Sequence, residues 1–343
     1  MENTELLGLF PEELSKELSA WKLPAFRTKQ IFSWLHRGAA FGEMSNLPKA
    51  LREELAESYI DQPVRILEKR VSKLDGTVKV LYALRDGNCI EGVLMHYHHG
   101  YTLCLSTQVG CRMGCVFCAS TLNGCVRSLS AAEMLGQVHC ANTLIDGGHV
   151  SNIVLMGSGE PFDNYDNVVR FLRLVSHPDG LNVGLRHISL STCGLTGQMR
   201  RFAEEGLPVT LSLSLHAPND AIRRQLMPVA NAYKMEDVLD ACRYYIEKTG
   251  RRVIFEYALN EINSRPEHAA ELASRLRGMQ CHVNVIPLNT VEEKSLRGAD
   301  EQAIERFMRE LESRHISVTR RREMGDDIEG ACGQLRRRYL EEQ

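Results

Sequence analysis

Asn152-Ile153-Val154-Leu155-Met156-Gly157-Ser158-Gly159-Glu160-Pro161 is a short apolar run closed by paired glycines and a carboxylate. A run of this length bounded by glycines reads as a strand. Residues 165–176 follow with apolar side chains at three- and four-residue steps, the period of an amphipathic helix. Working outward, the same strand-then-helix unit recurs. Strands are expected at 152–156, 187–191, 209–215, 253–257, 282–287 and 317–321, and helices at 131–144, 165–176, 196–204, 235–247, 267–276 and 300–313. Such alternation predicts parallel strands with covering helices, either a doubly wound sheet or a full or partial barrel. In both, chemistry gathers at the carboxyl ends of the strands.

Upstream the period changes. Residues 11–21, 26–35 and 48–59 carry helical spacing, whereas 65–71, 78–84, 89–96 and 101–105 read as strands, with an Asp75-Gly76 hairpin signal between the first two. The divisions expected are an N-terminal helical accessory domain (1–60), a small β-rich connecting region (61–100), an α/β core (101–322) and a C-terminal loop and tail (323–343). No solenoid repeat or low-complexity segment interrupts them.

The last of those strands leads into Cys111-Arg112-Met113-Gly114-Cys115-Val116-Phe117-Cys118. Three thiolates on one tight loop can bind three irons of a four-iron cluster and leave the fourth iron open. The amino and carboxylate groups of S-adenosylmethionine (SAM) can chelate that open iron, placing the sulfonium where one electron cleaves it to a carbon radical. A zinc site is the alternative, but it wants a fourth Cys or His close by and no tight second pair follows. At the end of the next strand, Gly157 and Gly159 let the backbone approach a ligand, and Glu160 can accept from the SAM ammonium.

Bulk properties agree. With 43% hydrophobic and 25% charged residues the composition is that of a globular protein, and no apolar run approaches membrane-spanning length. The acidic start followed by a helical pattern carries no secretory or transit signal, so a cytoplasmic location is expected. There, 11 cysteines suit metal binding or catalysis better than a disulfide scaffold. The formal charge of −3 argues against a generally basic surface and leaves local patches as an RNA footprint: Arg251-Arg252, Arg320-Arg321-Arg322 and Arg336-Arg337-Arg338.

Several further stretches carry a resemblance: Lys29-Gln30-Ile31-Phe32-Ser33-Trp34, Ile90-Glu91-Gly92-Val93, the run 104–111, Ser214-Leu215-His216-Ala217-Pro218, Phe255-Glu256-Tyr257, the run 282–287 with Asn289, and Ala331-Cys332-Gly333-Gln334-Leu335. Together they resemble the RlmN/Cfr-type radical-SAM RNA adenine methyltransferases, the RlmN branch in particular, over almost the whole chain. Two departures are Ser158, where that family usually has methionine, and Ser128-Leu129-Ser130, where it has Asn-Leu-Thr. The resemblance implies a radical-SAM partial (β/α) barrel with an N-terminal helical and small β accessory domain. It implies a [4Fe-4S] cluster on Cys111, Cys115 and Cys118, and SAM contacts from Gly159, Glu160, Ser191, Ser214, Leu215, His216 and Asn289. It also implies that Cys332 carries the methyl group, Cys104 resolves the intermediate and Glu91 accepts a proton.

The implied activity is methylation of adenine C2 in RNA, at adenosine-2503 of 23S rRNA and at adenosine-37 of tRNA, with flavodoxin or ferredoxin as electron donor and no membrane partner. Adenine C2 is electron-poor and bears an unactivated hydrogen, so it cannot displace the SAM methyl as a thiolate does. In that family the chemistry is split between two cysteines. Cys332 would first take a methyl by displacement, a radical step would join that carbon to C2, and with loss of one electron and of the ring proton Cys104 would attack the sulfur of Cys332. A transient disulfide results and must be reduced. Cys89, Cys125, Cys140, Cys193, Cys242 and Cys281 are expected to be packing residues. Three other readings stay open on the sequence. They are C8 methylation of the same adenosine, a radical-SAM activase that needs neither Cys104 nor Cys332, and a zinc-bearing RNA-binding module without turnover.

Overall fold

In this computed structural model residues 4–288 and 296–328 are described, together with Leu335 and Tyr339. Helices α1 (Pro11–Glu17), α2 (Ala25–His36) and α3 (Lys49–Ser58) open the chain. Strands β1 (Val64–Val71), β2 (Val78–Leu84), β3 (Cys89–Tyr97) and β4 (Gly100–Cys104) follow as an antiparallel meander. A short hairpin, β5 (Gln108–Gly110) with β6 (Cys125–Ser128), brackets the cysteine loop. The repeating part then runs α4 (Ala131–Asn142), β7 (Val150–Leu155), α5 (Tyr165–Val175), β8 (Ile188–Thr192), α6 (Thr196–Glu204), β9 (Thr210–Ser214), α7 (Asp220–Leu226), α8 (Met235–Thr249), β10 (Val253–Leu259), α9 (Pro266–Leu276), β11 (Cys281–Pro287), α10 (Glu301–Ser313) and β12 (Val318–Arg320).

Strand alternation decides between the two architectures. Ile153 and Leu155, Ile188 and Leu190, Leu211 and Leu213, Phe255 and Tyr257, and Val283 and Val285 are buried in one apolar core shared with the helices. Their alternate neighbours point to the opposite face. That face is polar: Ser189 and Ser212 share a hydrogen bond of 3.1 Å, Ser191 and Ser214 one of 3.2 Å, and Asn284 donates to Glu256 at 2.8 Å. A doubly wound sheet would bury both faces under helices. Here the second face is a polar interior, as in a barrel. Among the described residues ten strands form one sheet in the order β1-β2-β3-β4-β7-β8-β9-β10-β11-β12, with β1 and β12 at its two edges. The barrel is partial, and the meander of the connecting region continues the same sheet through β4 and β7.

Two layers complete it. The N-terminal helices dock on α4 and α5: Ser130 donates to Glu5 at 2.6 Å, and Arg170 grips Glu13 through two bonds of 2.6 and 2.7 Å. At the other end, the segment after β12 crosses to the tip of the β1–β2 hairpin. There Gly325 N–H donates to Asp75 at 2.9 Å, while Ser72 and the Lys73 N–H donate to Asp327 at 2.6 and 2.8 Å. Leu335 is buried against Leu81 and Cys89.

The strand expected at 209–215 stops at Ser214. Leu215 and His216 N–H both turn onto the Glu256 carbonyl, at 3.1 and 3.3 Å, and His216 takes a φ of 56°. The β5–β6 hairpin and α7 were not expected. They are three, four and seven residues long, too short to show a period.

Candidate active site

The cysteine loop is shaped by its own backbone. Cys111 N–H donates to Gly124 O at 2.9 Å, Cys118 N–H to Cys115 O at 3.2 Å, and Thr121 Oγ1 to Cys118 O at 2.8 Å. Gly110 is obligatory: its φ is 79°, and a Cβ there would stand 2.0 Å from Gly124 O. One cavity at the carboxyl ends of the barrel strands is lined by Cys111, Cys115 and Cys118 on one side and by Gly159, Glu160, Ser191, Ser214 and His216 on the other. Residues from four separate stretches of the chain thus meet at one cavity.

Their electrostatics point to a cationic occupant. Burial pushes the Cys111 thiol up to about 12, with Cys118 and Glu160 adding to it. Cys115 is raised further, by burial and then by Cys118 and Cys111. Burial and charge repulsion oppose ionisation of Cys111 and Cys115, and a bound cation would offset both. Behind them Arg223 is fully buried and donates to Cys193 O at 2.6 Å. Burial depresses its pKa, and the Cys193 and Cys115 sulfurs oppose that shift. A buried guanidinium needs anionic neighbours; Asp220 is one, and the Cys193 and Cys115 sulfurs act in the same direction. Three thiolates alone would leave a structural zinc one ligand short of its usual four. In an iron–sulfur cluster each thiolate sits on its own iron, so the loop fits a multi-iron group better than a single zinc.

Glu160 is held rather than free. Its Oε2 accepts from Cys193 N–H at 2.8 Å and its Oε1 from Phe162 N–H at 3.1 Å, while its own N–H donates to Gln108 at 3.0 Å. Burial raises the carboxyl, and these hydrogen bonds pull it back. Gly157 and Gly159 line the cavity and also let their loop approach its own neighbours closely. A Cβ at Gly157 would lie 2.6 Å from Leu105 O and one at Gly159 2.6 Å from Gln108 Cβ. They permit contact with the strand that leads to the cysteines, and this contact fixes Glu160. Ser158 joins in, its hydroxyl 2.9 Å from that of Ser120.

His216 is buried and its pKa is lowered to about 3, by burial and then by Arg223. Its Nδ1 accepts from Ala258 N–H at 2.9 Å, so the neutral ring carries its proton on Nε2. Phe117 of the cysteine loop meets it edge-on, with centroids 4.9 Å apart. Leu215 instead buries its side chain in the core. Any ligand contact from it is through the backbone.

Glu91 and Cys104 stand elsewhere on the same inner face. Cys104 is buried among Val93, Met95 and Met324. Glu91 is buried too, not solvent-facing, and lies 3.4 Å from Lys79. Asn289 and Cys332 lie outside the described residues. Sequence reasoning gave no site role to Glu256, Arg223 or Lys79, read Arg321 as part of a basic RNA patch and took Cys193 as a packing residue. Glu256 and Arg321 line the cavity, and Arg321 lowers the Glu256 carboxyl that burial raises. A carboxylate between two aromatic residues of a strand was the available signal for Glu256. Cys193 packs with Leu226 and Met227, as expected of a packing residue, and also lines the cavity.

A partial barrel whose polar interior opens onto a three-cysteine loop defines the radical SAM class, and residues 105–273 match the radical SAM superfamily. Residues 4–60 match the ribosomal RNA large subunit methyltransferase N-terminal domain. A "Probable dual-specificity RNA methyltransferase RlmN" of Clostridium tetani is 51% identical over 337 residues, 98% of this chain and 96% of that protein. One of the same name from Lachnoclostridium phytofermentans is 52% identical over 343 residues, 99% and 96% of the two chains. The crystal structure of a radical SAM methyltransferase from Sphaerobacter thermophilus superposes with a TM-score of 0.93 at 41% identity, covering 96% of this chain and 98% of that one. The chain belongs to the RlmN family of radical SAM methyltransferases.

Proposed function

We propose that this chain methylates C2 of an adenine in RNA, in 23S rRNA and in tRNA, with Cys332 as methyl carrier and Cys104 as resolving thiol. The observation that carries the reading is the single inner face that holds the cysteine loop at one end of its polar stripe and Cys104 on the neighbouring strands. An activase would need the loop alone. Cys111, Cys115 and Cys118 would hold a [4Fe-4S] cluster, and Gly159, Glu160, Ser191, Ser214, His216 and Asn289 would bind SAM, with Leu215 contributing backbone. When bound, the cluster supplies the electron that cleaves SAM.

The chain's own groups do the rest. Glu160, fixed by two backbone N–H groups, presents a carboxylate edge to an ammonium. His216 offers an Nε2–H donor at a set angle because Ala258 and Phe117 hold the ring. The Ser191–Ser214 pair gives a hydroxyl pair on adjacent strand ends. The apolar setting of Cys104 shields its own sulfur from bulk water. Flavodoxin or ferredoxin as donor, a cytoplasmic location, and a division of labour among residues 1–60, 61–100, 101–322 and 323–343 belong to the same reading. No described helix is long and apolar enough to cross a membrane.

Mass spectrometry of nucleosides from rRNA and tRNA, after anaerobic reaction with SAM and a reductant, tests this reading. The expected product is 2-methyladenosine in both RNAs. Predominant 8-methyladenosine would place the chain's chemistry at C8 instead.

A further inference from the structure

A row of side chains crosses the antiparallel half of the sheet on its inner face. Lys79 of β2 stands opposite Val93 of β3, Val93 opposite Cys104 of β4, and Cys104 beside Val154 of β7. Glu91 precedes Val93 by two positions and shares its face. Lys79 Nζ lies 3.4 Å from Glu91 Oε2, with the two side chains 0% and 2% exposed. Cys104 itself packs in a cluster with Val93, Met95, Val154, Met156 and Met324.

Burying an ion pair costs desolvation, and apolar residues of the same volume often serve stability as well or better. The pair therefore gives little reason for itself as a packing device. It stands beside a thiol that must become a thiolate to attack sulfur. An apolar nest opposes that ionisation.

We propose that Lys79 is a positioning residue for Cys104, holding Glu91 to take the thiol proton and then facing the thiolate that remains. This rests on the reading of Cys104 as the thiol that attacks Cys332. In the step, the Cys104 S–H bond breaks and its electron pair stays on sulfur. The proton forms an O–H bond on Glu91, directly or through one water, and the Lys79 ammonium keeps its protons. The three groups sum to zero charge before and after, so no net charge is created away from water. Glu91 is the diagonal neighbour of Cys104, for which Cα atoms lie roughly 7–8 Å apart, within reach of long side chains.

Other ionisable groups face this region. On β1, Glu68 and Arg70 pair with each other at 2.9 Å. Arg70 stands across from Lys79. On β2, Tyr82 interacts with Cys104. On β3, Cys89 packs with Leu81 and Leu335. Beyond β12, Arg321 lies 4.0 Å from the Met156 sulfur and also faces Glu256. Among the described residues of this row Lys79 is the cation nearer to Cys104, with Arg70 one strand further out.

The experiment uses reduced holoprotein carrying Cys332→Ala, with iodoacetamide trapping over a pH series and peptide-resolved mass spectrometry of Cys104. Lys79→Met should move the alkylation midpoint up by about one pH unit or more, a tenfold loss of thiolate at neutral pH. Lys79→Arg should keep the midpoint near that of the parent. Lys79→Met with Glu91→Met, which replaces the pair by apolar side chains of similar length, should fold and show the raised midpoint too. An unshifted midpoint in the folded single or double variant overturns the proposal. With Cys332 restored and RNA supplied, Lys79→Met should accumulate the same nuclease-sensitive RNA–protein adduct as Cys104→Ala, with methylation of Cys332 unchanged. A raised midpoint with no adduct in either variant would support the charge relation while overturning the role of Cys104 in RNA methylation.

Discussion

Among the loop thiols, Cys115 combines burial with repulsion from both Cys118 and Cys111, and only the buried Arg223 acts the other way. A thiolate at that position depends on a bound cation, and a cluster there depends on that thiolate. Cys115→Ala is expected to leave a folded protein without brown absorbance and without reductive cleavage of SAM, since removing one of three ligands leaves two irons open. The absorption spectrum after anaerobic reconstitution, with chromatography of deoxyadenosine, checks it. Deoxyadenosine at the parent level would mean that Cys115 is no ligand. The same residue scale explains what could be read beforehand. The three-cysteine spacing is local in the chain and so visible. Arg223 and Lys79 look like any surface basic residue in a sequence, because what distinguishes them is burial beside partners 30 and 12 positions away.

At the scale of elements, the loop after β7 is the hinge between chemistry and fold. Gly159 has a φ of 108°, and its missing Cβ makes room for Gln108, whose side chain accepts from Glu160 N–H. Gly159→Ala combines a Gly-only backbone conformation with a clash, and about 2–3 kcal/mol of stability should be lost. Gly197 in α6 offers the comparison, because a Cβ there meets nothing within 4 Å. Gly197→Ala should be neutral or stabilise by about 0.5–1 kcal/mol. Urea denaturation of both variants measures this, and SAM binding should weaken only in Gly159→Ala. Equal stabilities for the two would remove the packing account of the glycine. The order of strands and helices was legible because each barrel unit repeats a period of 2 and then 3.6. The polar inner face was legible only in part: Ser189, Ser191, Ser212 and Ser214 alternate with leucines and isoleucines, yet each run is too short for its face to be assigned without its neighbours.

At the scale of the whole molecule, the N-terminal helices are joined to the barrel partly through histidines. His36 at the end of α2 is 1% exposed, packs against Phe32 with the rings tilted and their centroids 4.1 Å apart, and has neither ring nitrogen hydrogen-bonded. It faces His139 of α4 and His177 after α5. Burial, with those two neighbours adding to it, lowers His36 to about 3, and burial lowers His139 to about 4. An exposed histidine in the unfolded chain titrates near 6.5. The sign follows from proton binding. Above about pH 6.5 both rings are neutral in both states and the interface keeps its full stability. As pH falls below 6.5 the unfolded chain binds protons that the folded one refuses, and stability drops until the pH passes the folded values. Each ring loses about 1.4 kcal/mol per pH unit in that window, or about 2 kcal/mol by pH 5. The melting temperature should therefore fall between pH 7 and 5, and His36→Leu, which keeps an apolar side chain against Phe32, should fall less steeply over the same range. Comparing the two slopes isolates His36 from carboxylates that titrate lower. Parallel slopes would show that His36 is protonated in the folded protein and that its nitrogens find partners at the interface.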